Sequence, residues 1–298
     1  MALNICVVGY GLMGRTHTEM YSKNHYVERI TVIDPFLNLL NNKIDCEDPY
    51  KKITFGKCTG QKDSFDAISI CVPSAYHFDI FEKYKTKTKA FLIEKPPALS
   101  LTETKKMQEI GNNLGLIVGC AFVERFNPLI EKFKNRIASK QEKGHYYFKR
   151  IAPLPDPSSW YYDEKISGGP LLDLGVHDFD LVNFIIGEKI ENINWDEQGK
   201  TTCCKLAFGS GSLAEITTGW YEGKKFINEI FFEGKDFNIG LSSTELEKER
   251  YPYSYQKEID EFINLLLGKE VDFPLIEDGI KALRVIDTIK IKKKNKNG

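Results

Sequence analysis

The sequence predicts a doubly wound parallel α/β domain followed by an α+β domain built on an open, mostly antiparallel sheet. Three observations carry this reading. Up to about residue 120 short apolar strands alternate with helical segments, the pattern of a parallel sheet covered on both faces. Between residues 189 and 241 the chain reads instead as consecutive strands. The first strand also runs straight into Gly9, Gly11 and Gly14, spaced G-x-G-x-x-G, which lets a strand turn tightly into a helix.

Taken in order, the strands of the first domain are expected at 3–8, 29–33, 52–55, 67–72, 89–93 and 116–120, and its helices near 12–23, 76–85 and 100–113. The boundary is expected at 121/122. A helix near 128–139, a strand around 144–152 and a Pro/Ser-rich loop open the second domain. One long helix then follows Gly168-Gly169-Pro170, with Pro suited to its first position. After the consecutive strands, helices near 253–267 and 276–292 close the chain, the last free to pack back on the first domain. The domains are thus 1–121, for a dinucleotide, and 122–298, for substrate and oligomerisation.

The bulk numbers narrow the function classes. Hydrophobic residues make up 42% and charged residues 28% of 298, the balance of a soluble globular enzyme. A net charge of −1 provides no field to recruit nucleic acid or an anionic membrane. No apolar run approaches the ~20 residues that span a bilayer, and no signal peptide is visible. The cysteines at 6, 46, 58, 71, 120, 203 and 204 form no C-x-x-C, which suits free thiols in a reducing cytoplasm. Lys290, Lys292, Lys293, Lys294 and Lys296 read as a solvated last helical turn and frayed tail.

The glycine spacing carries a cofactor expectation. Gly9 permits the turn, Gly11 lets the backbone approach a pyrophosphate, and Gly14 lets the helix pack on the sheet. The helix start, with Leu12 and Met13, offers unpaired N–H groups to phosphates. Asp34 closes the second strand about 20 residues on, where a carboxylate meets ribose hydroxyls. Pro35 follows, so no arginine stands ready for a 2′-phosphate. NAD is therefore expected, with NADP a possible substitute.

Other residues can carry chemistry. Lys95, in Glu94-Lys95-Pro96-Pro97, ends the fifth strand at the crevice where ligands bind in such sheets; the alternative is a surface lysine in a loop. Pro73 and His77 follow the fourth strand and face the nicotinamide end, His77 being equally a helix-start histidine with a local bond. On the long, largely apolar helix, Asp173, His177 and Asp180 form a narrow polar stripe at i, i+4 and i+7. Asp173 can set the tautomer of His177 for acid–base work, or the pair can be satisfied in the core. Arg125 can grip a substrate oxygen or form a structural ion pair with Glu124 or another carboxylate. No H-E-x-x-H and no metal-ligand spacing is present, so no metal is expected.

Taken together these stations resemble the Gfo/Idh/MocA family of oxidoreductases over nearly the whole chain. Gly9 to Gly14 looks like its cofactor fingerprint, Pro73 to His77 its P-x-x-x-H segment, and Glu94-Lys95-Pro96 its E-K-P motif. Gly168 to His177 is similar to its G-G-x-x-x-D-x-G-x-H signature. The resemblance implies a Rossmann domain, and hydride transfer between a nicotinamide cofactor and a hydroxyl-bearing carbon of a sugar, polyol or nucleotide sugar. It implies Lys95, Asp173 and His177 as catalytic residues. Glu94 and Lys95 join the cofactor set, and Arg125 and Tyr161 join Lys95, Asp173 and His177 around substrate. Trp160 is followed by Tyr161-Tyr162 where many members have Arg, a departure that bears on substrate contacts. Val123 to Pro128 looks like a subgroup acting on UDP-linked amino sugars. A non-catalytic NAD-binding sensor or scaffold is the alternative of another class. Members are usually dimers or tetramers, and an outward sheet face carrying residues such as Trp220, Phe226 and Phe231, or their neighbours, would favour a homodimer or homotetramer.

Overall fold

The computed structural model describes residues 2–36, 52–56 and 63–297, with the side chains of 52 and 294–297 outside that description. Cys46, Cys58 and the side chains of Lys294 and Lys296 therefore lie outside the described residues. The helices in chain order are α1 (Leu12–Lys23), α2 (His77–Tyr84), α3 (Leu101–Leu114), α4 (Pro128–Lys140), α5 (Glu164–Ser167), α6 (Gly169–Asp173), α7 (Gly175–Ile186), α8 (Ser243–Glu249), α9 (Tyr255–Leu266) and α10 (Ile276–Asn297).

Contacts divide the chain into two compact units. The first comprises Met1–Ala98, Thr102–Ala121 and Tyr255–Glu277; the second comprises Leu99–Leu101, Phe122–Ser254 and Asp278–Gly298. The division is not a single cut at 121/122, because the chain returns to the first unit. It is α9 rather than the last helix that returns. Gln256 Nε2 donates to the Met20 carbonyl, Asn24 Nδ2 donates to Asp260, and Ile259, Phe262 and Ile263 are buried.

In the first unit β1 (Leu3–Val8), β2 (Val27–Ile33), β3 (Lys52–Gly56), β4 (Ala67–Ile70), β5 (Ala90–Glu94) and β6 (Ile117–Ala121) form one sheet in the order β3-β2-β1-β4-β5-β6. All its pairings are parallel. Strand order reverses between β1 and β4, and the crevice outside the carboxyl ends at that point is where such sheets bind ligands. β4 and β5 are buried along their whole length, as continuous apolar runs are when both faces of a parallel sheet are covered.

The second unit holds β7 (Gly144–Pro153), β8 (Ile190–Gln198), β9 (Thr201–Phe208), β10 (Leu213–Tyr221), β11 (Ile227–Gly234) and β12 (Asn238–Leu241), in the order β12-β11-β7-β10-β9-β8. Only β7 and β10 pair in parallel. Period-2 alternation puts Tyr146, Phe148, Ile216, Trp220, Ile230 and Phe232 inward. Trp220, expected outward, is thus a core residue. The opposite face is mixed rather than broadly aromatic: Phe231 is exposed there, while Lys149 pairs in register with Glu229, and Lys205 lies 3.1 Å from Glu215.

Several helices differ from expectation, the short α5 among them. The single long helix is two, α6 and α7, joined at Leu174, whose N–H still donates to the Pro170 carbonyl at 3.0 Å. α8, not anticipated, starts with a capping box between Ser242 and Glu245. α10 runs on to Asn297 because the tail is tethered: Lys292 Nζ donates to the Ile193 carbonyl and Lys293 pairs with Glu197 at 2.8 Å.

Candidate active site

The turn from β1 into α1 is built around backbone contact. Gly9 has φ +93°, and a Cβ there would lie 2.7 Å from the carbonyl group of Cys71. A Cβ on Gly14 would meet the Gly9 carbonyl at 1.9 Å. Both sites therefore exclude any side chain. A Cβ on Gly11 meets nothing within 4 Å, and the exposed Gly11 begins α1 with no side-chain cap. The first N–H groups of α1 thus open onto space next to bare backbone, the donor set a pyrophosphate requires. Leu12 is exposed and Met13 half-buried on that first turn.

Asp34 is aimed at the same region. Its Oδ2 accepts from Tyr10 N at 2.8 Å and its Oδ1 from Phe36 N at 2.7 Å. Both partners are backbone N–H groups, which leaves lone pairs of the carboxylate for ribose hydroxyls. The residues present fit a bound NAD.

The loops after β4 and β5 are tied together. Pro73 starts a 3-10 turn (Ser74–Tyr76) that leads into α2. His77 is 1% exposed, with Nδ1 2.9 Å from the Pro96 carbonyl and Nε2 2.8 Å from the Val72 carbonyl. Burial pulls the His77 ring below its ordinary range, against the two carbonyls, which favour the charged form. Both ring nitrogens thus face loop carbonyls, and since a neutral ring has one N–H it can donate to one of them at a time. Glu94 is also buried: Oε1 lies 3.0 Å from His17 Nε2, and Oε2 accepts from Lys95 N at 3.1 Å. Lys95 itself is half-buried just past the end of β5, and the Lys95–Pro96 peptide is cis.

In the second unit Asp173 ends α6 at 7% exposure, and the half-buried His177 lies in the first turn of α7. A Cβ on Gly175 would touch Thr218 of β10 at 3.0 Å, so this glycine lets α7 sit close on the sheet. Asp180, the third member of the polar stripe, does not share their role. Arg125 clamps it with Nε to Oδ2 at 2.8 Å and Nη2 to Oδ1 at 2.5 Å, and reaches Asp278 at 3.3 Å. Burial works against the Arg125 charge, but Asp180 and Asp278 outweigh it. Of the two readings of Arg125, the ion pair is present in the structure, with Asp180 and Asp278 as its carboxylates. Tyr161 is half-buried, its ring stacked on Trp160 at 3.8 Å.

Sequence reasoning missed a second charged cluster. Arg150 on β7, 2% exposed, donates from Nε to Asp178 at 3.0 Å and from Nη1 to Glu124 at 2.9 Å; Arg250 Nη2 joins Glu124 at 2.7 Å. Burial pushes both carboxyls up; Arg150 and Arg250, each bonded to Glu124, bring it below its ordinary value, whereas Asp178, bonded to Arg150 alone and facing the Glu124 charge, rises to about 6. His17 and Glu258 were missed as well. Glu258 on α9 is fully buried, both oxygens lack a partner, and burial, with Glu94 in range, pushes its carboxyl well up. Nothing local marks these residues, because their partners lie tens of residues away in sequence. Among the described residues no group of His, Cys, Asp and Glu has the makings of a metal site. The five described cysteines are free thiols.

A doubly wound sheet whose first turn is bare glycine backbone at a helix start, with an aspartate just past its second strand, is the architecture of a dinucleotide-binding domain. Residues 3–122 match the oxidoreductase family with NAD-binding Rossmann fold, and residues 141–235 match the Gfo/Idh/MocA C-terminal domain. This chain belongs to the Gfo/Idh/MocA family. It is 26% identical to myo-inositol 2-dehydrogenase of Thermotoga maritima over 94% of this chain and 93% of that one. It spans 65% and 41% of the lengths of two other curated relatives it matches. The latter is scyllo-inositol 2-dehydrogenase (NAD(+)) of Bacillus subtilis, 32% identical over 50% of this chain. Its fold is shared with scyllo-inositol dehydrogenase of Lactobacillus casei, solved with NAD(H) and scyllo-inositol. That TM-score is 0.77 at 17% identity, covering 95% of this chain and 94% of the other. Among the described residues no helix is long and apolar enough to cross a membrane.

Proposed function

We propose that this protein is an NAD-dependent dehydrogenase, or the matching reductase, of a cyclic polyol or sugar, with Lys95, Asp173 and His177 as its catalytic set. The observation that carries the reading is Lys95 at the carboxyl end of β5, in a parallel sheet whose Gly9–Gly14 turn is shaped for a pyrophosphate. Two relatives named as inositol 2-dehydrogenases support the substrate class.

Bound NAD supplies the hydride acceptor for the carbon that bears the hydroxyl. The N–H groups at the start of α1 hold the pyrophosphate and Asp34 accepts from the adenosine ribose. His177 takes the hydroxyl proton. Asp173 would set its tautomer, and Lys95 would stabilise negative charge developing on a substrate oxygen. A nucleotide sugar is the alternative substrate, suggested by the resemblance of Val123 to Pro128 to a UDP-sugar subgroup. Within Val123 to Pro128, Glu124 and Arg125 are committed to ion pairs, and Asn127 caps α4 and donates to the Leu246 carbonyl.

The test is nicotinamide absorbance with NAD against inositols, free sugars and UDP-sugars. Turnover is expected with an inositol or sugar, and Lys95→Ala is expected to lower it by ~10²–10³ while leaving NAD affinity within a few-fold. NAD binding without turnover on any of these substrates would instead support the sensor reading.

A further inference from the structure

Lys95 is bracketed by two buried histidines that belong to other elements. On its N-terminal side, His17 from α1 reaches Glu94 Oε1 at 3.0 Å, and the other oxygen of that carboxylate accepts the Lys95 N–H at 3.1 Å. On its C-terminal side, His77 from α2 holds the Pro96 carbonyl at 2.9 Å. The His17 ring is 1% exposed and packs edge-on against Tyr21, with centroids 6.3 Å apart. Its Nδ1 is buried with no partner, so among the described residues the bond to Glu94 is the single hydrogen bond of this side chain. A buried histidine that gives up half of its hydrogen-bonding capacity costs stability. A leucine or phenylalanine would pin α1 to β5 without that cost. What His17 adds is a fixed direction for the Glu94 carboxylate, and through it for the backbone from which Lys95 projects. Glu258 is near enough to Glu94 for that carboxylate to add to the burial that pushes the Glu258 carboxyl up.

We propose that His17 is a positioning residue: acting through Glu94, it fixes the backbone at Lys95 and so the aim of the lysine side chain. This rests on the catalytic reading of Lys95, and the test separates the two. Amide hydrogen exchange at Lys95 and in β1 and β4, thermal midpoint, NAD affinity, and turnover of myo- and scyllo-inositol with NAD are measured on wild type, His17→Leu, His17→Gln, Glu94→Leu and Lys95→Ala. The expectation is faster exchange at the Lys95 amide in His17→Leu and Glu94→Leu with β1 and β4 unchanged. Turnover should drop ~10–10² in both, with NAD affinity within a few-fold in His17→Leu, since small misplacements of a reacting group cost that much. His17→Gln retains a polar atom at the Nε2 position and should recover most of both losses. Wild-type exchange at Lys95 in His17→Leu and Glu94→Leu overturns the proposal, whatever the substrate proves to be. If His17→Leu fails to fold, Glu94→Leu and His17→Gln still decide it: protection at Lys95 that survives the first, or is lost in the second, also overturns it. Wild-type turnover in Lys95→Ala, with exchange still responding to His17, would overturn the catalytic reading and leave the positioning intact.

Discussion

The two units hold their buried polar groups in opposite ways. In the first unit Asp34 takes two backbone N–H groups, His77 takes two backbone carbonyls, and Glu94 takes a histidine and an N–H. In the second, Glu124, Asp178, Arg150 and Arg250 satisfy one another, as do Arg125, Asp180 and Asp278. Backbone partners orient a side chain and leave its charge uncancelled. An ion pair orients it by consuming the charge. The first arrangement suits groups that must meet a ligand, and the second suits groups that fix a sheet to its helices. On α7, Asp178 and Asp180, one and three residues past His177, both lie inside these ion pairs.

The strongest way to break this comparison is to remove one residue of each kind. His177→Ala is expected to lower turnover by ~10²–10⁴ through loss of the proton acceptor, with thermal midpoint and NAD affinity near wild type; full activity in this variant would put His177 among the structural groups. Arg150→Met should do the reverse. It leaves Asp178 and half of the Glu124 pairing buried without a countercharge, which costs about 3–5 kcal/mol, read as a lower denaturant midpoint. A stable variant would show that the cluster is not holding the unit.

The carboxylates of that cluster sharpen the comparison further, because they shift in opposite directions. The folded state binds the Asp178 proton more tightly than the unfolded chain does, so its contribution is present below its ordinary 3.8 and is lost as pH rises through about 6. Glu124 is held below its ordinary 4.5, so its contribution is present above that value and is lost as pH falls below it. The stability gap between wild type and Asp178→Asn should therefore be wider at pH 4 than at pH 7, and the gap to Glu124→Gln should be narrower at acid pH. Unfolding curves at the two pH values check both signs. The smallest effect belongs to an exposed pair: Lys200→Ala, which frees Glu164 from a 3.0 Å contact, should change stability by less than ~0.5 kcal/mol.

Much of this molecule is readable in one dimension because the controlling interactions are local or periodic. The Gly9–Gly14 turn, the strand that ends in Asp34 and the strand that ends in Lys95 each follow from a few consecutive residues. The alternation of β7, β10 and β11 places Phe148, Ile216 and Phe232 inward by period alone. That same period could not say which face was the core face, so Trp220 was expected outward and is buried. Nor could it show that Leu174 divides the long helix, or that α9 packs on α1.

What the sequence by itself determined is the parallel sheet, its glycine turn, the family, and the short list of side chains from which a site can be built. Only the tertiary structure decided how those side chains are used. Arg125 and Asp180 are 55 residues apart, Glu124 and Arg250 are 126 apart, and His17 and Glu94 are 77 apart. A side chain alone carries the capacity to bind a ligand, a proton or an opposite charge, and spacing cannot rank these outcomes. The rank is set by which group the folded chain brings within hydrogen-bond reach, and by whether water is excluded there.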